Sequence, residues 1–198
     1  MIDNRLKFNG HVDYACEKAA KAISTLFRIM QSNFGPSSSK RRLLASVSSS
    51  ILRYGGPAWI TALQTQHNRA KLRSTARLMA IRVVSADRTI SSEAACVIAG
   101  MIPIDITLME DYECYRQKEV RGIRKLMRAE SLAKWQQEWN TAQKAWRDDL
   151  PSGLNVENMM EEMCRNESIW NAVNSAIACI MSDLQRKWRA KQRASIVS

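Results

Sequence analysis

From Lys18 to Ala86 the chain contains no aspartate and no glutamate, although the same span carries twelve lysines or arginines. Within the segment, that absence excludes neutralisation, and a one-signed field over so long a run suits a polyanion. Other scarcities exclude other classes. Met1-Ile2-Asp3-Asn4-Arg5 lacks the apolar core of a signal peptide, and no apolar run approaches the roughly 20 residues needed to span a bilayer. An intracellular chain is therefore expected, in cytoplasm or nucleus, with no membrane partner. The five cysteines (16, 96, 114, 164 and 179) are odd in number, and no two have the short spacing of zinc ligands, with only His11 and His67 to assist. They read as buried free thiols of a reducing compartment, with no metal, no cofactor and no small-molecule substrate implied. Strand alternation is almost missing, as are internal repeats and sustained heptads. The expected fold class is all-α.

What is present is a globular composition with a lopsided charge. The 198 residues suit one domain, or one with a small appendage, and 45% are apolar. The net charge is +11, of which residues 1–100 hold +10 and residues 101–198 hold +1. Basicity confined to one half marks a binding surface there more than a general solubility device.

Along the chain, Asn4 to Phe8 alternates too briefly for more than a vestigial strand. From His11, the apolar positions Val12, Cys16, Ala19, Ile23, Phe27 (or Leu26) and Met30 step by three or four, with Lys18, Lys21 and Arg28 turned away. Gly35-Pro36 ends that helix. Ser37 to Ser39 offer caps to the next, whose buried stripe reads as Leu43, Val47, Ile51 and Tyr54. Lys40-Arg41-Arg42 crowd its first turn and oppose the helix dipole, at a cost of roughly 0.3–1 kcal/mol each. After Gly55-Gly56, a helix restarts at Pro57, the favoured first position for proline, and carries Trp59 and Leu63 inward before running on or kinking. Leu72, Ala76, Met79 and Val83 then form one stripe. Arg69, Arg73 and Arg77 form another at four-residue spacing, where like charges repel by roughly 0.2–0.5 kcal/mol per pair.

Ser91-Ser92-Glu93 reads as a helix start and Gly100-Met101-Ile102-Pro103 as a stop. Asp105 opens the longest helical pattern, lined by Ile106, Met109, Tyr112, Val120, Ile123 and Met127, with Gly122 as its weak point. Trp135, Trp139, Ala142 and Trp146 share a face at its far end. Beyond Leu150-Pro151-Ser152-Gly153, Asn155 to Met163 makes a short acidic helix. Trp170, Val173, Ile177, Ile180, Leu184 and Trp188 then form an amphipathic stripe. The expected architecture is a bundle of about six to eight helices, one of them long. Its stretches are 1–34, a basic region 35–103, a linker helix 104–150 and a tail 151–198.

Few residues suggest chemistry. Trp146-Arg147-Asp148-Asp149 matches the polymerase aromatic-X-Asp-Asp in letters only. Two-metal catalysis needs carboxylates on a rigid hairpin with a distant partner acid, and no flanking strands are visible. No serine, cysteine or carboxylate is placed by sequence to work with His67. Ser46, Ser48, Ser49 and Ser50 read as close-packing or capping residues. The Trp135/Trp139/Trp146 row offers faces for base stacking, but helical spacing favours the core. No catalytic residue is assigned. The candidate site is a set of cations, Lys40, Arg41, Arg42, Arg53, Arg69, Lys71, Arg73, Arg77 and Arg82, expected to track the phosphates of DNA or RNA without base readout.

The order of the landmarks also resembles one family. Leu6-Lys7-Phe8-Asn9-Gly10-His11-Val12 followed by Ala19-Ala20-Lys21-Ala22 looks like the segment just after the polymerase palm in arthropod non-LTR (LINE-type) retrotransposon reverse transcriptases. The likeness continues through Gly35-Pro36, Arg41-Arg42-Leu43-Leu44, Tyr54-Gly55-Gly56-Pro57-Ala58-Trp59 and Arg82-Val83-Val84. It goes on through Arg88-Thr89-Ile90-Ser91 and Gly100-Met101-Ile102-Pro103-Ile104-Asp105 to Trp135-Gln136-Gln137-Glu138-Trp139, covering residues 3 to about 150. What the resemblance implies is a thumb and linker that hold the template–primer duplex as it leaves the palm. Two departures qualify it. The palm, with its metal-binding aspartates, would lie upstream of Met1, and the Cys/His zinc knuckle is missing. From Val156 on, Glu167-Ser168-Ile169-Trp170 included, the chain is again similar to the family's last helix, which puts an internal joint near Leu150 to Asn155.

The expected function is therefore that of a non-catalytic C-terminal fragment of an RNA-directed DNA polymerase, contacting nucleic acid through phosphates. One alternative is a co-opted small helical module that binds nucleic acid or a protein. Another is a decayed relic with no selected role, whose exposed apolar surface on the first helix would favour self-association.

Overall fold

The computed structural model describes residues 7–30, 37–86, 88, 90–141 and 155–165. Among them are eight α-helices: α1 (Asn9–Met30), α2 (Ser38–Arg53), α3 (Gly56–Trp59), α4 (Gln66–Val84), α5 (Ser92–Ala99), α6 (Ile104–Arg116), α7 (Ile123–Thr141) and α8 (Val156–Arg165). A 3₁₀ turn, Ile60–Gln64, joins α3 to α4. No described residue lies in a strand, so the fold is all-α. Of the short Asn4–Phe8 alternation, only Lys7 and Phe8 are described, and Phe8 sits at φ 54°.

The centre of the bundle is α4, which packs on α1, α2, α5 and α6. Its expected stripe of Leu72, Ala76, Met79 and Val83 is buried, and so are Ala80, Ile81 and Val84. A helix apolar on more than one side has to be surrounded, and this one is. On α1, Val12, Cys16, Ala19 and Ile23 face the core, while Lys18, Lys21 and Arg28 stay exposed.

The glycine junction is built much as the sequence suggests. Gly55 takes the left-handed conformation (φ 64°), and α3 starts with Pro57 in its first turn. Trp59 is 2% exposed, donates its indole N–H to the Tyr54 carbonyl at 3.0 Å, and lies 5.4 Å from the His11 ring between centroids. Gly56 permits the approach of α6, because a Cβ there would stand 2.9 Å from Leu108 Cδ2. The chain does kink after Trp59, through the 3₁₀ turn, and Leu63 remains inward.

Two expectations fail. Of the residues read as the buried stripe of α2, Ile51 does pack partly buried against the core, but Leu43 (70% exposed), Val47 and, just past the helix end, Tyr54 (80%) turn outward. The buried positions are Ala45, Ser48 and Leu52 instead. Small residues let α2 lie close against α1 and α4, and close packing replaces the larger hydrophobes there. Ser48 is thus the packing residue, whereas Ser46 and Ser50 donate back to carbonyls of their own helix. The second failure is the long linker helix. It divides into α6 and α7, with Gly122 at φ 84° in the turn between them and Val120 exposed.

The remaining boundaries follow local chemistry. Ser91 Oγ accepts from the Ala94 N–H at 3.1 Å and caps α5, and Gly100 in the left-handed region ends it. At the end of α7, Trp135 and Trp139 are 2% and 5% exposed, which makes them core residues and leaves no free face for stacking on bases. α8 docks on α5 and α7 through Val156, whose N–H donates to Gln136 Oε1 at 2.7 Å. Ala142, the Trp146-Arg147-Asp148-Asp149 motif and the Trp170 to Trp188 stripe lie outside the described residues. Among the described residues no single helix is long and apolar enough to cross a membrane. The α5–α6 pair would suffice in composition, but it is bent by 59°.

Candidate nucleic-acid interface

The helix α4 presents Arg69, Lys71, Arg73 and Arg77, and α6 begins beside it. The Asp105 side chain, in the first turn of α6, is 8% exposed and accepts from Arg73 Nε at 2.9 Å and from an Arg73 terminal nitrogen at 2.7 Å. The same terminal nitrogen donates to both oxygens of Glu138 on α7, at 2.9 and 3.1 Å. Burial by itself would lower the Arg73 pKa. The hydrogen bonds and charge of Asp105, with the charge of Glu138, reverse that and raise it. A cavity of about 30 Å³ adjoins this cluster, with Cys96, Trp135 and Trp139 in its walls. It has room for about one water molecule. Arg73 is a structural cation that joins three helices, not a free phosphate contact.

The neighbouring cations are also engaged. Arg69 Nε lies 3.9 Å from Asp105, and a terminal nitrogen of Arg69 donates to the Leu63 carbonyl at 3.3 Å. Arg77 donates to the Arg88 and Ile90 carbonyls, tying α4 to the turn before α5. Lys71 bonds Asp13 on α1, which raises the lysine pKa, and both side chains remain substantially exposed. Arg53, at the end of α2, grips Asp111 with two hydrogen bonds of 2.7 and 2.6 Å. That hydrogen bonding raises its pKa against partial burial. Arg41, Arg42 and Arg82 are half-buried and each is engaged within the chain. Desolvation lowers the pKa of Arg41, and desolvation followed by the Arg88 charge lowers that of Arg82. Lys40 is exposed.

The expectation of an uncompensated arginine row is therefore overturned. The span from Lys18 to Ala86 lacks acids along the chain, but folding brings it Asp13, Asp105, Asp111 and Glu138 from outside. Arg53 and Lys71 each bond one of those carboxylates, Arg73 bonds two, and Asp105 lies near Arg69. Of the nine candidate cations, Lys40 and Arg69 are exposed without a bidentate carboxylate partner, and Lys71 is 41% exposed beside a carboxylate that is itself at the surface.

A second basic group was overlooked because the second half is nearly neutral in sum. Between Arg116 and Arg128 there are six lysines or arginines against one acid, Glu119. This stretch is the α6–α7 turn and the first turns of α7. Counting charge in a sliding window, not by halves, would have found it.

Other chemistries find little support in the geometry. Cys96 is enclosed, and burial pushes its thiol up to about 12, while burial also raises Cys16. Neither is a thiolate nucleophile at neutral pH. His67 is exposed on α4. Among the described residues no three His, Cys, Asp or Glu side chains converge to hold a metal.

Comparison with known proteins gives one relevant likeness. The chain is 27% identical over 132 residues to the "Retrovirus-related Pol polyprotein from type-1 retrotransposable element R1 2" of Nasonia vitripennis. That similarity supports a retrotransposon origin. It covers 63% of this chain and 29% of the polyprotein, so the chain spans under a third of that relative. No family model matches, and no solved structure matches.

Proposed function

We propose that this chain acts as a non-catalytic, thumb-like part of a retrotransposon reverse transcriptase, contacting the phosphate backbone of nucleic acid and carrying out no chemistry itself. The likeness to a Pol polyprotein carries this reading, and the net charge of +11 supports it. Lys40, Arg69 and Lys71 are the contacts assigned within the basic first half. The Lys71–Asp13 pair is no obstacle. An exposed pair contributes only about 0–1 kcal/mol, so the lysine can exchange its carboxylate for a phosphate.

The test is the salt dependence of duplex binding. Affinity for any duplex is expected to fall with salt at a slope of about 0.9 per phosphate contacted. Lys40→Gln combined with Arg69→Gln is expected to flatten the slope by about 1.8. Arg73 and Arg77 are left in place because their bonds within the fold are shorter than those of Arg69. Absence of salt-dependent binding by the native chain would remove the functional reading.

One observation favours a second role. Leu43, Val47 and Tyr54 form an exposed apolar row on α2, and such rows mark contact with another protein surface. Self-association through this row is the corresponding proposal. Light scattering is expected to show a concentration-dependent mass for the native chain, and a constant monomer mass for Leu43→Ser with Val47→Ser. An equal mass in both proteins would discard it.

A further inference from the structure

The end of α2, the middle of α6 and the start of α7 enclose a cleft of about 400 Å³, with Arg53, Glu110, Asp111, Arg124, Lys125 and Arg128 in its walls. This volume is within the range of ordinary ligand sites, yet apart from Cys114 the lining side chains are charged, where such sites are usually apolar. It holds four cations and two carboxylates. Each carboxylate has a cation of its own beside it. Asp111 takes two hydrogen bonds from Arg53, whereas the buried Glu110 Oε2 makes no hydrogen bond and is balanced only by the charge of Arg128 at 3.4 Å. Among the described residues, no carboxylate pairs with Arg124 or Lys125, and both are exposed.

Helix stability does not account for those two side chains. They stand in the first turn of α7, which has no acid, and cations at a helix N-terminus act against its dipole. Lys118 and Arg121 in the preceding turn add to the same positive field. The cleft is thus a net-positive site in which two cations have no carboxylate partner among the described residues and two others stand beside their own acids.

We propose that this cleft is a second phosphate-binding site, which seats the sugar–phosphate backbone of a nucleic acid on Arg124 and Lys125. The site rests on the nucleic-acid reading above but uses different residues, from the nearly neutral half of the chain. Arg53 and Arg128 border it and contribute field. Their own pairings keep them from serving as independent ligands. A backbone fits better than an acidic peptide, because the adjoining turn continues the cationic surface past the cleft and favours a long, evenly charged partner.

The test compares the native chain with Arg124→Gln/Lys125→Gln, using a 20-base-pair DNA duplex of arbitrary sequence titrated between 50 and 200 mM salt. Because both side chains are exposed and, among the described residues, pair with no carboxylate, the variant is expected to keep the native melting temperature. If each contacts one phosphate, the slope flattens by about 1.8, so the variant loses roughly 12-fold less affinity across that range. A variant slope equal to the native one would overturn the cleft and leave the Lys40/Arg69 contacts standing. A native chain that shows no salt-dependent binding would overturn both. Polyglutamate of equal charge competing as well as the duplex would overturn the backbone assignment.

Discussion

Arg73→Ala is expected to destabilise the fold by about 3 kcal/mol, because it leaves Asp105 buried with only Arg69 nearby. Removing one member of a buried pair costs more than the pair contributes, since the remaining charge keeps its desolvation penalty. The lower end of the usual range applies because the Arg73 side chain is itself 34% exposed. In a chain of this size, the corresponding fall in melting temperature is about 6–12 °C. Asp105→Ala is expected to cost less, since Arg73 retains Glu138. Replacing the pair with Arg73→Met and Asp105→Leu is expected to come within about 1 kcal/mol of the native chain, because no buried charge is then stranded. Urea denaturation of the three variants checks the order. An Arg73→Ala midpoint equal to the native one would show that the three-helix ion cluster is a surface feature.

Trp59→Ala is expected to cost about 3–5 kcal/mol, the range for emptying a large aromatic site in a core that cannot collapse. Trp59 is 2% exposed and lies at the restart of the chain after the glycine pair. The neighbouring backbone is held by the left-handed Gly55 and by the Gly56–Leu108 approach, which limits relaxation into the void. Trp59→Phe separates volume from hydrogen bonding. It keeps much of the ring and loses the donor to the Tyr54 carbonyl, for an expected loss of about 1 kcal/mol from the bond. Denaturant midpoints measure both. A Trp59→Ala variant within 1 kcal/mol of native would mean that the junction does not organise the core.

Local signals served well wherever one short-range interaction decides the outcome. The Ser91 cap, the Gly100 stop, the Pro57 restart and the stripes of α1 and α4 were all legible, since each depends on residues within a turn or two of one another. The α2 stripe was not. Leu43, Val47 and Tyr54 have the right spacing, but Ala45, Ser48 and Leu52 share the same period one face over. Only the neighbouring helices decide which face is inward. Tightly packed α1 and α4 select the smaller side chains. Gly122 is a weak point by sequence, yet whether a glycine bends or breaks a helix depends on what the flanking halves pack against.

Read by itself, the sequence determined an all-α chain, its principal helix boundaries, the central tryptophan junction and a strong excess of positive charge in the first half. These follow from periodicity, capping and composition, which are properties of short stretches. Tertiary structure alone decided where that charge is free. Carboxylates far along the chain reach Arg53 and Arg73, because ion pairs form across helix contacts without regard to separation in sequence. The most open cations consequently lie partly in the half whose total charge is close to zero.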